Sequence, residues 1–240
     1  MEPMQPMRAL RVLLVANTLP PHDLSGVGEQ VLQLAAGLRT RGHDVEVLGR
    51  GGQDSDAARG PKVLFPLTIV RPALRRIAAF RPDVVQLHES DGGLLALCIT
   101  RLTRLQVRPL LVALLQVSYA EERRAVRPLR HGGEVLGEPG VVERRFRRFK
   151  APLQIFLGRR TARAADLVLA PSATTAAELA RDYGARNTAV LPNASGGLVA
   201  RPEAVAEVEE AGVPGLLFVG RLRLRKGVEV LLRALSLLRN

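Results

Sequence analysis

Short, near-continuous apolar runs alternate with segments of helical period through most of this chain, and that order constrains the fold more than any other feature. A strand that is apolar on both sides must be covered on both faces, which a parallel sheet with helices above and below provides. Arg11 to Ala16 is such a run. Val27, Val31, Leu34, Ala35 and Leu38 then recur at helical spacing until Gly42 closes the segment behind Arg39 and Arg41. Val45 and Val47 mark a second strand, Val63 to Val70 is read as containing a third, and Ala73 to Phe80 as a helix stopped by Pro82. Further strands are expected at Asp83 to His88, Leu110 to Val117, Ala165 to Ser172 and Thr188 to Leu191, with helices at Leu94 to Leu105 and Thr174 to Tyr183. The expected fold class is α/β, a doubly wound, Rossmann-like parallel sheet.

The periodicity fades after Asn193. Residues 194–214 hold Gly196, Gly197 and Pro202 and an acidic patch at Glu207, Glu209 and Glu210, and read as a linker with a short helix. A new strand is expected at Gly215 to Val219, then a turn to Lys226 and a helix from about Val228. The organisation expected is a sheet domain over 1–193, a linker over 194–214 and the first strand-helix unit of a second such domain over 215–240. Eight of the eleven residues from Val228 to Leu238 are apolar, so this last helix requires partners on most of its surface.

Composition removes several classes. The longest apolar run, Leu110 to Leu115 between Arg108 and Gln116, is far short of the roughly 18 to 20 residues of a membrane-spanning helix. The first residues show no secretory pattern, and the cytoplasm is the expected compartment. A single cysteine, Cys98, allows neither an intrachain disulfide nor a cysteine cluster. The four histidines are scattered and Asp54-Ser55-Asp56 falls in a Gly- and Asp-rich loop, so no metal is expected. The net charge is +12, and residues 123–163 concentrate it, with 12 basic residues against Glu134, Glu138 and Glu143. Such a balance invites a nucleic acid, but no Trp, two Tyr and six Phe leave few stacking platforms, and nucleic acid is not an expected partner.

Three places carry residues suited to chemistry. Gly220 to Gly227 lies between an expected strand and a helix start, where backbone N–H groups and the helix dipole favour an anion. There Arg221 can meet a diphosphate as a bidentate fork and Lys226 as a point charge, although a solvated basic turn has the same composition. His88 falls at the carboxyl end of a strand, where open parallel sheets bind ligands; the plain alternative is an uninvolved strand-end histidine. Gly26-Val27-Gly28 lacks the third glycine of a dinucleotide fingerprint and is separated from Asn17 by eight residues of loop where a tight turn is required, so an NAD enzyme is not expected.

The spelling of these segments resembles the family 4 glycosyltransferases of the GT-B fold. Phe218-Val219-Gly220-Arg221-Leu222 with Lys226-Gly227 is similar to the first turn of that family's donor domain. Ser25 to Leu48, with Gly26, Val31-Leu32-Gln33-Leu34-Ala35 and Gly42-His43-Asp44-Val45-Glu46-Val47, is similar to its first helix and second strand. Pro82-Asp83-Val84-Val85-Gln86-Leu87-His88-Glu89 and Ala165-Asp166-Leu167-Val168-Leu169-Ala170-Pro171-Ser172, followed by Leu191-Pro192-Asn193, complete the likeness. The resemblance implies a retaining transferase that moves a sugar from a nucleotide diphosphate sugar to an acceptor on the amino-terminal domain, with no cofactor and no catalytic metal. It implies that Arg221 and Lys226 bind the donor diphosphate, that the backbone approaches the ligand at Gly26, and that His88 lies near the transferred sugar, with Glu89 beside it. Ser25 replaces the first of the family's usual glycine pair, and Ala194 its glycine after the Asn. The family's pair of donor-domain glutamates, eight positions apart, does not follow Lys226 here. The expectation is therefore a chain ending early in its donor domain and inactive alone; a non-catalytic acceptor- or membrane-binding module is the alternative.

The basic segment has its own pattern. Val142, Phe146, Phe149, Leu153 and Phe156 step by 4, 3, 4 and 3, with Arg144, Arg145, Arg147, Arg148 and Lys150 largely on other faces. This predicts a basic amphipathic helix kinked near Pro152. It either packs its apolar stripe on the domain or attracts an anionic membrane surface or a phosphate-bearing acceptor.

Overall fold

The structure, a computed structural model, describes residues 8–17, 19–20, 26–50, 60–102, 108–131, 133–193, 216–220 and 226–238. In chain order its strands are β1 (Arg11–Ala16), β2 (Asp44–Gly49), β3 (Val84–His88), β4 (Leu110–Leu114), β5 (Leu129–His131), β6 (Glu134–Gly137), β7 (Leu167–Ala170) and β8 (Thr188–Val190). Six of them form one wholly parallel sheet in the order β2-β1-β3-β4-β7-β8, and β5 pairs with β6 in a separate antiparallel hairpin. The hairpin was not expected, although the Gly132-Gly133 pair is a turn signal and Gly133 takes a φ of 86°. Strand order reverses between β1 and β3, and helices cover both faces. The expected doubly wound, Rossmann-like sheet is what forms.

Alternation along β1 shows how the layers are built. Leu13 and Val15 join Phe65, Ile77 and Val85 on one face, while Val12, Leu14 and Ala16 join Val31 and Ala35 of α1 (Gly26–Thr40) on the other. Residues 62–80 correct an expectation. Instead of a strand within 63–70, the chain forms a 3-10 turn (Lys62–Leu64), then α2 (Phe65–Thr68) and α3 (Val70–Phe80). Pro66 has no N–H to give a sheet ladder but is well placed in the first helical turn. Phe65, Ile69, Ala73, Ile77 and Phe80, spaced 4, 4, 4 and 3, are buried, while Val63, Leu64 and Leu67 are exposed. Arg81 ends α3 in the left-handed conformation, φ 47°, ahead of Pro82.

Beyond β3 come α4 (Gly93–Leu97), α5 (Tyr119–Ala125), α6 (Val141–Arg145), α7 (Ala151–Ala164) and α8 (Ala173–Tyr183). A π turn, Phe146–Lys150, joins α6 to α7, so the expected disturbance at Pro152 is a widened turn; a proline removes the N–H that would serve the carbonyl four residues earlier. The packing face of this run differs from the expected apolar stripe. Ala151, Gln154, Leu157, Gly158, Thr161 and Ala162 are buried, whereas Val142, Phe149, Leu153 and Phe156 are exposed and Phe146 is half-buried against Tyr119. Small residues win because the contact is close. A Cβ on Gly93 would lie 2.5 Å from the Leu157 carbonyl oxygen, and one on Gly158 would lie 2.5 Å from the Tyr183 ring.

The expected linker, 194–214, lies outside the described residues. Residues 216–219, expected as a strand, belong to no sheet, and Leu217 is 88% exposed. Backbone pairing defines a strand, and no strand among the described residues pairs with this run. The helix expected after them is present as α9 (Val228–Leu238), with no buried residue.

Candidate active site

Parallel strands all point their carboxyl ends to one edge, and at the reversal between β1 and β3 the loops part to leave a crevice. Polar residues gather there. Asn17 follows β1, His88 closes β3 with Glu89 behind it, Gln116 follows β4, and Asn193 follows β8. A cleft of ≈ 400 Å³ opens between α1 and the segment after β8, with His88, Gln30, Gln33, Arg41 and Asn193 on its walls. A smaller cavity of ≈ 210 Å³ beside β2 holds Glu46 and Arg76, which pair with each other at 2.5 Å and so offer a ligand no uncommitted charge.

His88 is only 3% exposed, and burial lowers its pKa to about 4, so the imidazole is neutral at pH 7. Its Nε2 is 3.1 Å from the Gln86 amide nitrogen on the same face of β3. With Gln86 as donor, Nε2 accepts and Nδ1 carries the proton. Nearby, Asn193 donates to Gln116 Oε1 at 2.8 Å, and Gln116 Nε2 donates to Gln30 Oε1 at 2.9 Å. This chain of three amides ties the segment after β8 to β4's end and to α1, across the cleft.

Glu89 has φ 66° and ψ 178°, a region almost reserved for glycine, which costs roughly 1–3 kcal/mol. The residue is half-buried, and its Oε2 is fully so. Burial and the neighbouring Asp91 charge raise its pKa to about 8, with Glu122 adding to the rise and the Gln116 N–H and Lys150 opposing it. At pH 7 it is therefore largely a neutral carboxylic acid. Asp91 is held from two sides, by Asn17 Nδ2 at 2.6 Å and Gln154 Nε2 at 2.7 Å. Among the described residues, Asn17 Oδ1, Glu89 Oε2 and Gln154 Oε1 are buried without a hydrogen-bond donor. The cleft itself sets Gln30, Gln33, His88 and Asn193, neutral groups able to bind hydroxyls, beside Arg41 and an apolar lining of Leu34, Leu38, Leu114, Leu191 and Pro192.

Of the residues singled out from sequence, His88 lines the cleft and Gly26 begins α1 at the same edge of the sheet. A Cβ on Gly26 would meet nothing within 4 Å, so packing within the chain does not itself require glycine there. Arg221 lies outside the described residues. Lys226 is exposed just before α9, and no hydrogen bond or ion pair among the described residues joins it to His88 or Gly26. Arg144, Arg145, Arg147 and Arg148 are exposed on the outer side of α6 and the π turn. Asn17, Asp91, Gln116, Gln154 and Asn193 were not singled out as polar site residues. The first, third and fifth share a signal, a polar residue one to three places after a parallel strand of the main sheet. Gln154 had none, since it sits in a helix whose apolar stripe pointed elsewhere. Among the described residues, no group of three or more His, Cys, Asp or Glu is arranged to hold a metal.

Comparison with known proteins follows this geometry. The sequence profile described as Glycosyltransferase Family 4 matches residues 24–194. Sucrose-phosphate synthase from Thermosynechococcus elongatus superposes with a TM-score of 0.68 at 18% identity, over 95% of this chain and 59% of that one. The catalytic domain of starch synthase IV from Arabidopsis thaliana, bound to ADP and acarbose, gives 0.55 at 13% identity, over 95% and 66%. At such identities the likeness concerns the fold, the Rossmann-like architecture of GT-B glycosyltransferases. This chain spans 59% of the sucrose-phosphate synthase structure, less than two thirds of its length. No curated protein matches the chain in sequence.

Proposed function

Because this chain belongs to Glycosyltransferase Family 4, whose profile covers residues 24–194, we propose that it serves the transfer of a sugar from a nucleotide diphosphate sugar to an acceptor held at the carboxyl edge of its sheet. The reading includes retention of anomeric configuration, no cofactor and no catalytic metal, at the cytoplasmic side of a membrane. The observation that carries it is His88, buried and neutral on the wall of a cleft that also presents the amides of Gln30, Gln33 and Asn193. A neutral imidazole can donate from one nitrogen and accept at the other, so it can orient a sugar hydroxyl without placing a charge beside it.

In this proposal the α1 amino terminus approaches the donor at Gly26, where the open space above the backbone leaves room for phosphate. Arg221 and Lys226 supply positive charge to the departing diphosphate, each such donor being worth about 3 kcal/mol in the transition state. The sheet domain forms one wall of the reaction site and a donor-binding domain the other. Residues 1–240 by themselves are then expected to bind nucleotide sugars weakly and not to turn them over.

Two measurements test this. Titration calorimetry of the 240-residue chain with UDP- and GDP-sugars should show weak or no binding, and robust transfer by it would disprove the division of labour. In a protein competent for transfer, His88→Ala or Lys226→Ala should lower kcat/KM by roughly 100-fold or more with the fold intact. Undiminished turnover in either variant would remove that residue from the site.

A further inference from the structure

The helical run from Val141 to Ala164 leaves in solvent the side on which its large apolar residues stand. Val142, Phe149, Leu153 and Phe156 step by 7, 4 and 3, share one side of the run, and are all exposed, Phe149 by 67%. Isolated apolar side chains on a surface are ordinary, but four along one side of a helical run, two of them phenylalanines, mark a contact face. The charges around this row choose the partner. Arg144, Arg145 and Arg148 are exposed and form no ion pair among the described residues. Arg148 lies over the Phe149 ring at 5.6 Å and Arg160 over the Phe156 ring at 5.0 Å, so each guanidinium flanks the row. Arg147 is different. It donates to the Val126 carbonyl at 3.1 Å and fastens the run to the domain.

Aromatic side chains standing out from a helix, edged by guanidinium groups, match a surface that is apolar at depth and anionic at its face. We infer that this side of α6, the π turn and α7 docks the protein on an anionic lipid bilayer, with Phe149, Leu153 and Phe156 entering the boundary between headgroups and acyl chains and Arg144, Arg145 and Arg148 meeting lipid phosphates. The same run reaches the cleft from its inner side, because Gln154, next to Leu153, donates to Asp91, three residues beyond His88. Docking therefore sets the carboxyl edge of the sheet close to the bilayer, which fits an acceptor carried on a lipid. That second step rests on the sugar-transfer reading, whereas docking does not.

Flotation of the 240-residue chain with vesicles of phosphatidylcholine, alone or mixed with phosphatidylglycerol, tests docking without any transfer reaction. The chain should float only with the phosphatidylglycerol vesicles and detach as salt rises from about 0.05 M to about 0.5 M. Each arginine near an anionic surface strengthens attachment about fivefold. Replacing Arg144, Arg145 and Arg148 together by Gln should then weaken it roughly a hundredfold, and Phe149→Ser with Phe156→Ser about tenfold or more, with the thermal transition unchanged in both. Failure to float with phosphatidylglycerol, equal flotation with phosphatidylcholine alone, or indifference to both sets of substitutions overturns the inference. So does a wild-type dimer in light scattering that Phe149→Ser with Phe156→Ser dissociates, because the face would then belong to a second copy. If the protein floats but a transfer-competent form uses water-soluble acceptors equally well without vesicles, docking stands and the lipid-borne acceptor falls.

Discussion

Residues 62–80 and residues 141–164 are both amphipathic helical runs, and they treat their apolar side chains in opposite ways. The first buries its large residues, Phe65, Ile69, Ile77 and Phe80, against β1 and β3. The second buries Leu157 among alanines, a glycine, a threonine and a glutamine, and leaves two phenylalanines and a leucine in water. The lesson concerns contact distance. A helix lying on a sheet at ordinary separation is held by large side chains, whereas α7 approaches α4 and Tyr183 so closely that a Cβ at Gly93 or Gly158 would clash. Apolar periodicity marks 141–164 as helical although 63–70 reads as a strand, and in α7 the small residues on the other face mark the buried side, where the approach is close.

The sharpest way to break this contrast is to truncate a large residue in each run. Ile77→Ala should destabilise the fold by about 3 kcal/mol, since it opens a cavity in a closed layer. Phe156→Ala, a larger deletion of apolar surface, should stay within about 0.5 kcal/mol. Denaturant titration of both variants measures the difference, and a similar loss in the two would show that the exposed face is covered in solution.

A slightly smaller effect probes the close approach itself. Gly158→Val should cost about 2–3 kcal/mol through its clash with Tyr183 and Ser90, visible as a lowered thermal midpoint. A variant of unchanged stability would show that α7 can withdraw without penalty.

The third test moves to the floor on which α7 rests. The folded pKa of Glu89 is raised from the usual 4.5 to about 8, so the folded state binds more protons and stability from this group is lost as pH rises through that window. His88 works in the opposite sense. Its folded pKa is lowered from 6.5 to about 4, so its contribution is full above pH 6.5 and lost below. Between pH 6.5 and 8 Glu89 acts alone, and the protein should lose about 2 kcal/mol of stability across that interval. Glu89→Gln, which cannot ionise, should flatten the pH dependence of the melting temperature there. An equal slope in the variant would place the titrating group elsewhere.

Much of this arrangement was legible in the residues. Every strand of the main sheet falls within or beside an apolar run, and for the inner strands β1, β3 and β4 the reason is that a parallel strand covered on both sides has little freedom in composition. Val63 to Val70 misled for the same reason, since a short apolar stretch reads as strand or helix alike, and the deciding facts were Pro66 and a spacing of four that extends to Ile77. Gly215 to Val219 reads as a strand, yet residues 216–219 pair with no strand among the described residues, because pairing depends on a neighbour and not on the run itself. In the site, His88 was legible from its place at a strand's end. Gln154 and Asp91 were not, because their meeting is fixed by how closely α7 lies over the loop after β3, a distance no local pattern encodes.

The three amides across the cleft have a further property. Each side-chain amide has a donor end and an acceptor end, so the chain Asn193 to Gln116 to Gln30 has a polarity, running donor to acceptor toward α1. In this orientation it leaves the amino group of Gln30 and the carbonyl oxygen of Asn193 for whatever enters. Turning all three amides over reverses the polarity with the number of bonds between them unchanged, and exchanges which wall gives a proton and which receives one. One constellation of side chains can therefore read a hydroxyl as donor or as acceptor without any movement of the backbone, a tolerance that a cleft built from main-chain groups would lack.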